Sequence, residues 1–144
     1  MSKALEALDL FNNGFSCSQA VVATYCEQYG LDREMALKIS SGFGGGMGRL
    51  GETCGAVSGA LMLIGLKYGK VFKEDNFSKE KTYELVQEFS KRFIARNKCI
   101  RCKELLGVDL ITGDKSIVAE RVKTICPKMV QDASEIIEEL LEMN

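Results

Sequence analysis

The side chains best able to do chemistry in this chain are sulfurs. It carries six cysteines and no histidine. No Ser–His or Cys–His pair can form within it, and no mixed Cys/His zinc site. The usual His-ligated haem is excluded as well. Cys99 and Cys102 frame a CxxC, but Lys103 follows where haem attachment needs histidine. Six cysteines in 144 residues fall below the roughly 8–10% that marks a disulfide scaffold. In a reducing cytosol, clustered cysteines more often serve metal binding or redox chemistry.

Three of them fall where helix starts are predicted. Ser16 and Gln19 form an S-x-x-Q capping box, which puts Cys17 at the first helical position. Thr53 or Cys54 opens the most apolar helix of the chain. Pro127 suits a first helical turn, so Cys126 is predicted near an N-cap. Unpaired N–H groups and the helix dipole at such positions favour the thiolate, which is the nucleophile and the metal ligand. Cys26, mid-helix after Tyr25, reads as core packing. Arg96, Lys98, Arg101 and Lys103 surround the CxxC, and positive charge also lowers a thiol pKa. Its spacing lets two thiols close a disulfide or share a metal. No βαβ pattern encloses it, which argues against a thioredoxin-like architecture.

Residues 42–51 hold six of the fourteen glycines. Gly46, Gly48 and Gly51 match G-x-G-x-x-G literally, but no strand leads in, so a dinucleotide site is not expected. The glycines permit positive φ and close backbone approach. Just ahead of Cys54, they can give a small oxidant, a metal or a partner thiol access to its sulfur. The alternative is a tightly turned connection with no chemical role.

These residues need a scaffold, and the composition points to helices. There is one Pro, the apolar fraction is 46% and the charged fraction 27%. The expectation is an all-α fold: a single domain, 1–144, built as a bundle of about five to seven helices around a buried central helix at about 54–68. Helices are predicted at 3–11, from Ser16 to Gly30, from Asp32 to about Ser41, from Ser78 to about Asn97, and from Pro127 onward. A short segment follows at Cys99 to Leu106. Residues 108–125 fit a short helix or a buried irregular stretch. Gly55 and Gly59 share a helix face where a neighbour can pack closely and bring its own cysteine near Cys54. Glu135, Glu138, Glu139 and Glu142 form an acidic stripe that reads as a solvated face.

The longest strongly apolar stretch, Ala56 to Leu66, is short of the roughly 20 residues that span a bilayer. No membrane insertion is expected, and the opening residues show no signal-peptide run. A cytoplasmic protein is the expectation. The formal net charge of −1 offers no broad basic field for nucleic acid.

The string CGAVSG (54–59) fits a CGAxxG motif, and the chain resembles the family labelled "putative redox-active protein (C_GCAxxG_C_C)". Its four characteristic cysteines match Cys17 in GFSCSQAV, Cys54 in GETCGAVSGAL, Cys102 in CKELLG and Cys126 in ICPKMV. The resemblance covers nearly the whole chain. It implies redox activity through cysteines. A similar domain occurs in a multihaem cytochrome of the split-Soret type, where an iron–sulfur centre is implied; this chain lacks the haem-attachment sequences. Cys26 and Cys99 fall outside the four-cysteine pattern.

Two chemistries follow. In thiol–disulfide exchange, Cys54 is the attacking thiolate, Cys17, Cys102 or Cys126 resolves, and Cys99 passes oxidation to Cys102. The partner is then a redox protein or a small thiol or oxidant. In the alternative, Cys17, Cys54, Cys102 and Cys126 bind an iron–sulfur cluster or zinc. Between these four lie 36, 47 and 23 residues, so only the fold can assemble such a site. A third option is a structural or partner-binding helical domain with no cofactor. A homo-oligomer is compatible with any of these.

Overall fold

The computed structural model describes residues 3–141. In order they form α1 (Lys3–Asn12), α2 (Cys17–Tyr25), a 3₁₀ turn (Cys26–Tyr29), α3 (Arg33–Ser40), a second 3₁₀ turn (Ser41–Phe43), α4 (Gly44–Met47), α5 (Gly55–Tyr68), α6 (Asn76–Asn97), α7 (Cys102–Leu106) and α8 (Lys115–Leu140). Among the described residues there is no β-strand, only an isolated antiparallel bridge between Thr53 and Arg101. The fold is all-α, and among these residues no helix is long and apolar enough to cross a membrane.

Short polar side chains start four of the helices, α2, α3, α6 and α8. The Ser16 side chain accepts from the Gln19 amide, and the Gln19 side chain accepts from the Ser16 amide at 3.1 Å, which closes the expected capping box. Asp32 caps α3 through the Met35 amide at 2.9 Å. Helix α6 begins two residues before Ser78. Asp75 is its cap, and Ser78 instead donates its amide to that carboxylate at 2.9 Å. An Asx-type cap competes well with a serine, and the two lie three residues apart.

The larger departure is α8. Pro127 does not open a helix; it lies inside one that starts at Lys115, capped by Asp114, and continues to Leu140. Proline removes the N–H that would bond the Lys123 carbonyl. Packing carries the helix through: Met129, Val130, Ala133, Ile136 and Ile137 are all buried. Cys126 therefore sits mid-helix and not at an N-cap, and the stretch 108–125 is largely the first half of this helix.

Helix α5 is the centre. Its Ala56, Val57, Ala60, Leu63 and Ile64 are fully buried, with α2, α6 and α8 packed around it. Gly59 permits the approach of α2, because a Cβ there would meet the Ser18 carbonyl at 3.0 Å. Phe89 and Phe93 of α6 fill the interior with ring centroids 6.0 Å apart. Each such burial stabilises by about 1.5–3 kcal/mol.

A buried carboxylate locks the end of α6 to α8. Asp132 accepts from Lys128 at 2.7 Å, Arg96 at 3.1 Å and Asn97 at 3.1 Å. Lys128 also reaches the Asn97 side-chain oxygen at 2.7 Å. This fixes the exit of α6, and so the start of the segment carrying Cys99 and Cys102, against α8. Burial opposes the Asp132 charge, but the Lys128, Asn97 and Arg96 donors hold its pKa below the ordinary carboxylate value. Asp132→Asn should lower the unfolding free energy by about 1–3 kcal/mol at pH 7. A depressed native pKa stabilises above the unfolded value and loses that contribution as pH falls. Urea midpoints of the parent and D132N should converge below about pH 4; parallel curves there would contradict the network.

Candidate functional site

The glycine-rich stretch folds into an unusual turn. Gly45, Gly46, Met47, Gly48 and Arg49 all have positive φ, from 63° to 71°. The Gly48 amide donates to the Gly44 carbonyl at 2.8 Å, so helix-type bonding is kept with left-handed twist. Such backbone costs a non-glycine residue about 1–2 kcal/mol, here at Met47 and Arg49. Two further amides pin the turn: Gly51 to the Gly45 carbonyl at 3.2 Å, and Glu52 to the Gly46 carbonyl at 2.9 Å.

Beyond the turn, the chain meets the segment after α6. The Cys54 amide donates to Ile100 at 2.7 Å, the Cys102 amide to Glu52 at 2.6 Å, and the Lys103 amide to Gly51 at 3.0 Å. These three bonds bring Cys54 and Cys102 to the same place. Gly46 sits beneath the joint. A Cβ there would stand 2.6 Å from the Cys102 Cβ and 2.7 Å from the Glu52 nitrogen. Gly55 does the same for Cys17, whose Cβ lies 3.4 Å from where a Gly55 Cβ would be. The close approach expected at this glycine delivers the α2 cysteine to Cys54.

Cys17, Cys54, Cys102 and Cys126 all line one cavity of about 960 Å³. Cys17 is the first residue of α2, Cys54 the N-cap of α5 and Cys102 the first residue of α7, while Cys126 reaches in from mid-α8. The Gly44–Gly45 backbone and Gly48 form part of the wall, and apolar side chains of α7, α8 and the loop between them form much of the rest. A comparison with known families gives a match: the model of the family described as "Putative redox-active protein (C_GCAxxG_C_C)" covers residues 15–140. The chain belongs to this family. That description gives the family a redox role and names no chemistry. No curated protein and no solved structure matches the chain.

The other two cysteines of this family member stand elsewhere. Cys26 is fully buried, packs with Val22 and Ala36, and turns its thiol toward the Ala23 carbonyl at 3.6 Å. Cys99 is half-buried, outside the cavity wall, with its sulfur 4.0 Å from the Arg101 carbonyl. The two sulfurs of the CxxC thus open to different surroundings. All six cysteines are free thiols.

Burial dominates the electrostatics. It pushes Cys54 up to about 12, although the Ala56 and Val57 amides donate to its sulfur. It raises Cys102 to about 11, with the neighbouring Cys126 adding to the effect. The helix N-terminus, expected to favour a thiolate, is outweighed by the loss of water. Cys126 differs. The Cys17 thiol donates to it, which lowers Cys126 against the opposing effect of burial and raises Cys17 well above the ordinary thiol range. Of these two sulfurs, Cys126 is the one that ionises first.

Among the described residues, no three Cys, Asp or Glu side chains are grouped so as to hold one metal ion. The four sulfurs border a shared space without converging on a single-ion site. Sequence reasoning missed two cationic side chains on the wall, Arg49 and Lys115; Arg49 is a variable position of the G-x-G-x-x-G stretch and Lys115 lies in no motif. It also missed the helix start at Cys102, because Arg101 caps α7 without a side-chain hydrogen bond.

Two outcomes follow. Gly46→Ala should destabilise by about 2–4 kcal/mol, from φ strain plus the clash at the joint, and should speed alkylation of Cys102; unchanged urea midpoints would contradict the joint. In the reduced parent, iodoacetamide should label Cys126 ahead of Cys17, Cys54 and Cys102 near pH 8. The lowered pKa raises its thiolate fraction at that pH, and the raised ones suppress theirs. Peptide mass mapping reads the order.

Proposed function

We propose that this chain is a thiol–disulfide oxidoreductase working within the cavity, with Cys126 as the attacking thiolate and Cys17 as its resolving partner. The observation that carries the reading is that Cys17 and Cys126 line one cavity with two further cysteines, where they act on each other so that Cys126 is lowered and Cys17 raised. Their slight exposure, 8% for both Cys17 and Cys126, comes with access from the cavity.

The Cys126 thiolate attacks one sulfur of a substrate disulfide. That S–S bond breaks, and the leaving thiolate departs with the electron pair and takes up a proton. A mixed disulfide remains on Cys126. Cys17 then gives up its proton and attacks the Cys126 sulfur, which releases the second substrate thiol. The products are a Cys17–Cys126 disulfide and two substrate thiols, so two electrons pass from the protein to the substrate. The reverse sequence oxidises a dithiol. Cys54 and Cys102, held protonated by burial, stand ready to take over the disulfide by internal exchange. The Cys54 sulfur, the attacking group expected from its helix position, becomes a secondary partner because its ionisation is suppressed. Cys99 takes no step here. The alternative set, with Cys17, Cys54, Cys102 and Cys126 around an iron–sulfur cluster or zinc, has the shared wall behind it but no single-ion grouping, and no step is routed through a metal.

The test uses reduced protein purified without air. One equivalent of oxidised glutathione should yield a Cys17–Cys126 disulfide on mass mapping. Cys17→Ser should accumulate the mixed disulfide on Cys126, and Cys126→Ser should stop it forming. Oxidation confined to Cys99, or iron and sulfide recovered in stoichiometric amounts, would sink the proposal.

A further inference from the structure

The cavity wall has a charge pattern that the thiol chemistry does not use. No Asp or Glu lines it, in a chain with 20 of them. Two cations do, Arg49 and Lys115. Neighbouring basic groups are neutralised away from the cavity: Arg101 on Glu52 at 3.4 Å and Lys103 on Asp109 at 3.1 Å. Arg49 and Lys115 have no ion pair among the described residues, and both are exposed. The remaining wall is mainly aliphatic and aromatic, with Phe11, Leu105, Leu110 and Val122 among its residues. At about 960 Å³ the space lies at the upper end of small-molecule sites, roughly 300–1,000 Å³.

The backbone adds an independent observation. Arg49 sits at φ 71°, where glycine would be unstrained and an L side chain is not. Its neighbours Gly45, Gly46 and Gly48 have the residue type that this turn favours. Of the two strained non-glycine residues in this turn, Met47 and Arg49, Arg49 is the one that lines the cavity, where its charge has a use.

We propose that the cavity binds an amphiphilic carboxylate, a small molecule with an apolar body and one negative charge, whose body lies against the α7–α8 wall and whose carboxylate is held by Arg49 and Lys115. This rests on the thiol reading only in naming that reading's substrate class: the substrate disulfide would carry such a body and charge. Guanidinium suits a carboxylate because it can donate two parallel hydrogen bonds. Apolar contact supplies affinity and the cations supply orientation, which brings the reactive sulfur to Cys126.

The experiment measures binding of redox-inert probes to the reduced full chain by calorimetry. Decanoate should bind with one-to-one stoichiometry, and decanol, with the same tail and no charge, should bind at least about tenfold more weakly. Arg49→Gly combined with Lys115→Gln should weaken decanoate by about tenfold or more and leave decanol unchanged. Glycine is unstrained at this φ, so R49G should not melt below the parent; if it does, K115Q alone carries the comparison. Equal affinity for decanoate and decanol, or decanoate binding untouched by the variants, would overturn the proposal. Cys17→Ser/Cys126→Ser separates the two readings. It should lose glutathione-driven oxidation of this pair and keep decanoate binding. Decanoate that fails to bind a parent protein which forms the Cys17–Cys126 disulfide refutes the ligand class alone. Binding without any disulfide refutes the thiol reading alone.

Discussion

Three backbone hydrogen bonds hold the site together. They join Gly51, Glu52 and Cys54 to Ile100, Cys102 and Lys103, segments that α5 and α6 separate in the sequence. Main-chain bonds set position more tightly than flexible side-chain contacts can. They also depend on Gly46, since any Cβ at that residue would collide with both partners of the joint. The left-handed turn that contains it is thus a spacer, pinned by the Gly51 and Glu52 amides just ahead of the Cys54–Ile100 bond. Remove the joint, and two of the four cavity cysteines have nothing common to stand on.

Once the sulfurs share a wall, their charges become interdependent. Each thiolate raises the cost of the next: Cys54, Cys102 and Cys126 all act to raise Cys17, and Cys126 raises Cys102. In a space largely shielded from water, this repulsion is weakly screened. The pocket therefore favours one negative sulfur at a time, and the thiol–thiol contact selects which one. Location at a helix N-terminus does not decide it. Cys17, Cys54 and Cys102 all have that location, and all three are raised. Cys126, from a helix interior, is lowered. Desolvation scales with burial, whereas two or three amide donors offer a bounded gain.

This explains which parts of the molecule were readable from the sequence. The capping box at Ser16 needs only residues three apart, and it formed as read. The apolar run of α5 has no polar face to misassign, so its central position followed from composition. Gly59 announced close packing because a glycine inside an apolar helix has little other use there, and Gly55 shares its face. Pro127 misled, because its preference for a first turn is a local rule, and long-range burial of Met129 through Ile137 overrides it. That Cys17 and Cys126 share a site came with the four-cysteine resemblance, but their pairing within it was not legible. More than a hundred residues separate them in the sequence, and nothing local encodes the contact. The CxxC was the reverse case, a visible motif whose two sulfurs the fold directs apart.

The placement of Pro127 directly after Cys126 joins these points. Proline leaves the Lys123 carbonyl without its helical donor, one turn before the ring. The helix is tolerated there because its C-terminal half is fixed by the core and by Asp132, which grips Lys128, Arg96 and Asn97. That grip also sets where α6 ends and hence where Cys102 begins its short helix. One buried carboxylate therefore fixes the α8 cysteine and the α7 cysteine against each other, while the glycine turn fixes Cys54 and Cys102, and Gly55 admits Cys17. Each sulfur is positioned by backbone geometry or by a hydrogen-bonded anchor outside the cavity.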